Sequence, residues 1–151
     1  MKNNKINISD ISVGDWVSAG DGLIAQVKYP RDRHDLVTVR FVEPFHRLGF
    51  LVEEQAVEPQ YIHPIPITPE ILKKNGFKCI AVGDKGPATP RQNFMRYEKW
   101  RVETQWGYRD LFFDRVTKRY KLNGMNGYSF AEVHKLQHAL RFSNFDKEIE
   151  L

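Results

Sequence analysis

One cysteine in 151 residues, Cys79, excludes an internal disulfide and any site built from several thiolates. It argues for a reducing compartment, and we expect a cytoplasmic protein. A run of about 18 apolar residues, the length a membrane helix needs, is absent, and the opening MKNNKINISD lacks the apolar centre of a signal peptide. Charge of one sign is also scarce. The 23 Lys/Arg stand against 19 Asp/Glu, so the weakly hydrophobic, highly charged composition of a disordered chain does not apply.

Catalytic motifs are missing as well. There is no G-x-S-x-G elbow and no glycine-rich phosphate loop ahead of a helix, and Cys79 is remote in sequence from any histidine. It sits in the apolar run from Phe77 to Val82, which predicts a buried packing residue. The adjacent Glu53 and Glu54 read as solvated surface. We expect no enzyme, no cofactor and no membrane partner.

What is present suits a packed globule, with 41% hydrophobic and 13% aromatic residues, enough for one domain or two small lobes. The charge divides unevenly. Up to residue 67 there are 7 Lys/Arg and 9 Asp/Glu; from residue 68 there are 16 and 10. The positive excess belongs to the second part.

The expected fold class is β-rich α+β, with residues 1–60 a small barrel lobe, 61–69 a packed proline-rich joint and 70–151 an α+β lobe closed by a helix. Short strands are predicted at Asp15–Ser18, Leu23–Val27, Leu36–Val42 and Phe50–Val52, separated by Gly/Asp and Pro turn signals. Val37, Val39 and Phe41 alternate with Thr38 and Arg40, as a half-buried strand requires. The opening Ile11-Ser12-Val13-Gly14-Asp15-Trp16-Val17, followed by a glycine turn, resembles the entry to SH3-like barrels of the KOW and Tudor type. That resemblance implies a β-barrel that binds peptide or nucleic acid.

Pro59, Pro64, Pro66 and Pro69 force the joint into an extended path, and Tyr61, Ile62, Ile65 and Ile67 are too apolar for a free linker. Thr68 then caps a short helix with Pro69 in its first turn and Gly76 past its end. A small antiparallel sheet follows, predicted at Phe77–Val82, Met95–Thr104, Tyr108–Asp114 and Arg119–Leu122, turning tightly at Gln105-Trp106-Gly107. The loop from Gly83 to Pro90 has a surface composition, and residues 83–91 are the expected first site of proteolysis. Ser129 and Glu132 have the spacing of a capping box ahead of an amphipathic helix carrying Phe130, Val133, Leu136 and Leu140.

The segments IHPIPITPEILKKNGF (62–77) and VHKLQHALRF (133–142), with the closing KEIEL, resemble a family of small uncharacterised proteins of Bacteroides and relatives associated with phage or mobile elements. The resemblance implies an accessory role and assigns no activity to any residue.

Two constellations bear on function. His134 and His138 are one helical turn apart, as metal-binding helices require, but a zincin would need Glu where Lys135 stands. They are weak metal candidates, with His63 as a conceivable third ligand, and packing is the blander role. The stretch from Lys85 to Lys121 holds ten Lys/Arg against four acids, interleaved with eight aromatics. Cations bind phosphates and exposed rings stack on bases, so Arg96, Lys99, Arg101, Arg109, Arg115, Lys118 and Arg119, with Trp106, are candidate nucleic-acid contacts. Simple alternation, aromatics inward and cations to solvent, would produce the same composition. The expected function is a noncatalytic interaction or accessory protein with a protein partner. A weak nucleic-acid binder is the alternative, and a metal-dependent enzyme a distant third.

Overall fold

The computed structural model describes residues 5–83, 96–125 and 127–151. Lys85, Arg91 and Phe94 of the basic aromatic stretch, the loop from Asp84 to Pro90 and the strand start at Met95 lie outside the described residues. The chain is α+β and strand-rich, and it divides into two compact units, Met1–Ile65 and Pro66–Leu151. No helix among the described residues is long and apolar enough to cross a membrane.

The first unit is one antiparallel sheet of five strands: β1 (Trp16–Ala19), β2 (Leu23–Tyr29), β3 (Val37–Arg47), β4 (Phe50–Val57) and β5 (Ile62–Pro64). Their order is β4-β3-β2-β1-β5, so the last strand returns to pair with the first, and the edges β4 and β5 do not pair with each other. Its entry is a corner at Gly14 and Asp15. Gly14 takes φ +87°, and the buried Asp15 carboxylate accepts the Ser12 N–H at 2.7 Å while its carbonyl accepts the Val27 N–H at 2.8 Å. Alternate residues of β1, β2 and β3 then fall inward, and Val17, Ala25, Val27, Val37 and Val39 are completely buried with Ile62. Pro44 extends β3 without breaking it because the β3–β4 register shifts between Arg40 and Phe45, a bulge where a missing N–H is tolerated. The prolines of the joint conceal β5. A short 3-10 turn, Pro59–Tyr61, swings the chain round, and Ile62–Pro64 then pair with Ala19–Val17.

The second unit carries the short helix α1 (Pro69–Lys74), the sheet β6 (Lys78–Gly83), β7 (Tyr97–Thr104), β8 (Gly107–Asp114) and β9 (Arg119–Leu122), in that order, and the helix α2 (Val133–Phe142). Thr68 caps α1 as expected, its hydroxyl accepting the Ile71 N–H at 3.3 Å. Trp100, Val102, Leu111, Tyr120 and Leu122 form the inner face of the sheet, and Val133, Leu136 and Leu140 of α2 are fully buried.

Two expectations fail here. The capping box does not form, because Phe130 is held extended by two hydrogen bonds to Tyr120, at 2.6 and 2.9 Å, and the Arg119 guanidinium engages Ser129. The helix starts only at Val133, with Glu132 at its cap position. Cys79 is exposed rather than packed, since β6 is an edge strand whose register with β7 shifts between Cys79 and Ala81.

Candidate functional site

The register of the second sheet sets which charges meet. Tyr97, Lys99, Arg101 and Glu103 share the outer face of β7, opposite Asp114, Phe112, Asp110 and Tyr108 of β8. Asp110 is only 5% exposed, and Arg101 holds it with two hydrogen bonds at 2.7 and 3.0 Å while Lys99 Nζ lies 3.4 Å away. The guanidinium of Arg101 stacks on Tyr108, 3.9 Å from the ring centre, and Lys99 lies 5.8 Å above Phe112. The Arg101 hydrogen bonds, with Lys99 adding to them, hold the Asp110 carboxyl below its ordinary pKa against the upward push of burial.

At the end of the same face Arg96 grips Asp114 with bonds of 3.0 and 2.8 Å, and the backbone N–H of Val116 adds one of 2.9 Å. These donors push the Asp114 pKa down to about 2. Arg115 lies 3.6 Å from Glu98. Five of the candidate contacts, Arg96, Lys99, Arg101, Arg115 and Arg119, are thus engaged within the second unit, the last through Ser129.

Arg109 falls on the opposite face. Its guanidinium donates to the Ser143 carbonyl at 2.8 Å and hydroxyl at 3.3 Å and covers the Phe145 ring at 4.9 Å. It completes the carbonyl end of α2, where a cation is favoured by the helix dipole. Two candidates remain outward: Trp106, 86% exposed at the β7–β8 turn, and Lys118, exposed after β8 with φ +59°. Tyr108, on the outer face near the same turn, is already committed to Arg101.

His134 is buried and His138 is half-buried, with their rings edge-to-face 5.8 Å apart. His63 lies on β5 of the first unit, opposite Ser18. No group of three or more His, Cys, Asp or Glu suited to a metal ion occurs among the described residues.

A different surface comes from the first unit. The β3–β4 hairpin turns through Leu48 and Gly49, both with positive φ (+52° and +81°), the two-residue turn that matches strand twist and normally carries Asn-Gly. Leu48 is 91% exposed and is followed by Phe50 and Leu51, also exposed. Behind the turn opens a groove of about 440 Å³ lined by Leu23, Phe41, Phe45, Val57 and Tyr61, with Asp21 and Arg47 on its walls. The Gly20 N–H donates to the Tyr61 carbonyl at 2.9 Å, which ties the β1–β2 turn to the 3-10 turn along one wall. Sequence reading took Phe50–Val52 as a plain strand. The signal it passed over is Leu48-Gly49 where turn chemistry asks for a polar residue.

No protein-family model, curated protein or solved structure matches the chain.

Proposed function

We propose that the chain is a noncatalytic interaction protein whose first unit, an opened SH3-like barrel, docks a protein partner at the end carrying the β3–β4 turn. The barrel reading is supported by the strand order, in which β5 returns to β1 after a 3-10 turn, and by the bulges of β2 and β3 that let a five-stranded sheet curl. The observation that carries the function is Leu48. A γ-branched residue in the left-handed region costs about 1 kcal/mol over glycine, and here it also places an apolar side chain in water. Neither cost serves the fold, and a partner's apolar pocket would remove the exposure and offset the strain. The adjoining groove suits an apolar side chain from the same partner, with Asp21 and Arg47 to orient polar groups beside it.

The test is a comparison of partners recovered from cells that make the protein. Leu48→Asn with Phe50→Ser should lose the specific partner while unfolding at the same temperature or higher, since Asn suits the turn better. Retention of every partner by this double variant would end the proposal.

Nucleic acid is the second reading, and Trp106 favours it: an indole exposed at a hairpin tip can stack on an unpaired base. The available cations are few and lie toward the other end of β8 from it. Most of the basic sheet is occupied with Asp110, Asp114 and Glu98, so this reading has to rest on Trp106, Lys118 and Lys121.

A further inference from the structure

Residues 147–150 belong to no helix or strand, yet four of their main-chain groups are bonded by two buried carboxamides of the second unit. Asn75, at the end of α1, donates to the Glu150 carbonyl and accepts the Glu150 N–H, both at 2.7 Å. Gln137, on α2, donates to the Lys147 carbonyl at 3.0 Å and accepts the Ile149 N–H at 2.6 Å. Both side chains are only 2% exposed, and Asn75 is itself anchored by donating to the Ile71 carbonyl at 2.8 Å. A carboxamide presents a donor and an acceptor side by side, so it bonds a peptide group as a neighbouring strand does. Ile149 is buried between the two clamps. Arg141 pairs with Glu148 at 2.9 Å, and Lys74 donates to the Leu151 carbonyl.

These contacts define a ligand without naming a chain. The carboxamides read main chain only, the centre takes one apolar side chain, and Arg141 favours an acid just before it. We propose that the cleft of Asn75, Gln137 and Arg141 is a peptide-binding site for an extended segment with an acidic residue followed by an apolar one, and that Glu148-Ile149-Glu150 occupies it as an internal stand-in. A partner strand of that chemistry enters by displacing the stand-in. The site lies wholly in the second unit and is independent of the Leu48 surface.

A tethered segment acts at an effective concentration of order millimolar, so the intact chain resists a free peptide at micromolar levels. The experiment therefore cuts the tether after folding. A protease recognition sequence is inserted between Asp146 and Lys147, the full chain is folded and cleaved, and labelled peptide Lys-Glu-Ile-Glu-Leu is titrated. Side-chain amide signals of Asn75 and Gln137 and the far-ultraviolet dichroism are followed. The cut chain should keep its dichroism, take up the peptide and shift both amide signals. A peptide with Asp in place of Ile149 should bind about tenfold or more weakly, as loss of one buried aliphatic side chain demands. Failure to bind while folded, equal binding of the Asp peptide, or unfolding on cleavage would each overturn the proposal; unfolding would show that the segment is core and not ligand.

Discussion

Arg101 and Asp110 face each other across β7 and β8, joined by two hydrogen bonds at 2.7 and 3.0 Å under the ring of Tyr108. Asp110 has given up nearly all contact with water for this pair and Lys99. Removing the guanidinium leaves a buried carboxylate short of donors, so Arg101→Leu should lower stability by about 1–3 kcal/mol. Arg101→Lys should recover only part of that, because an ammonium cannot make the paired bonds. In the Arg101→Leu background, Asp110→Asn should cost less than it does alone. Urea unfolding of the four proteins checks all three statements, and strict additivity would show that the pair is not coupled.

Asp114 gives the acid limb of the stability curve a definite cause. Its pKa is lowered from 3.8 to about 2, chiefly by Arg96, so its contribution is complete above about pH 4 and lost as the pH falls through 2. The melting temperature of the wild type should drop more steeply across that window than that of Asp114→Asn. At neutral pH the variant should melt lower, by about 2–4 °C for each kcal/mol lost. Parallel melting curves at each pH would contradict the assignment.

The two helices end alike, and their ends predict opposite responses to substitution. Phe77 N–H bonds the Leu72 carbonyl and Gly76 N–H that of Lys73; Phe145 and Asn144 do the same to Leu140 and Arg141. Gly76 sits at φ +81° with open space around it, so Gly76→Ala should cost about 1 kcal/mol for backbone reasons alone. Asn144, at φ +54°, should accept glycine without loss, while Asn144→Val should cost more than Gly76→Ala. Thermal melts rank the three.

Arg109→Ala should loosen one specific place. With the Ser143 carbonyl and Phe145 ring uncovered, stability should fall by about 1–2 kcal/mol, and amide exchange should quicken at Ser143, Asn144 and Phe145 more than along β8. Uniform quickening would mean that Arg109 supports the sheet generally and not the helix end.

Single-stranded DNA and RNA titrated at low and physiological salt decide the second functional reading. Binding carried by a few exposed cations should be weak and should fall steeply as salt rises. Trp106→Ala with Lys118→Glu and Lys121→Glu should abolish it without altering the melt. Charge reversal at Arg101 or Arg109 would test folding instead, because both are consumed internally. Tight binding that ignores salt would contradict this picture.

Much of the architecture was legible and much of the chemistry was not. Strand β9 falls on Arg119–Leu122 as expected, and Thr68, Pro69 and Gly76 bound α1 because caps and left-handed ends demand particular residues within a few positions. Strand β5 was hidden because Pro64 and Pro66 disguise a three-residue edge strand that exists only through pairing with β1. Ser129 and Glu132 misled because a bridge between Phe130 and Tyr120, ten residues apart, outweighs a local cap. The cations misled for the same reason. Alternation places Arg101 on a face, but only the register of the β7–β8 hairpin sets Asp110 opposite it. The Leu48 turn was in plain view, as an apolar residue where the turn prefers a polar one.

The return of β5 to β1 has a consequence for how the chain is made. Strand β1 leaves the ribosome well before β5, yet its second neighbour arrives only after Ile62–Pro64 has emerged, far along the first unit. Until then the Val17–Ala19 edge offers open main-chain donors and acceptors to any passing strand. A nascent chain stalled or clipped in the proline-rich joint would carry that edge permanently, and its fate would be association with other chains and not slow completion of the sheet.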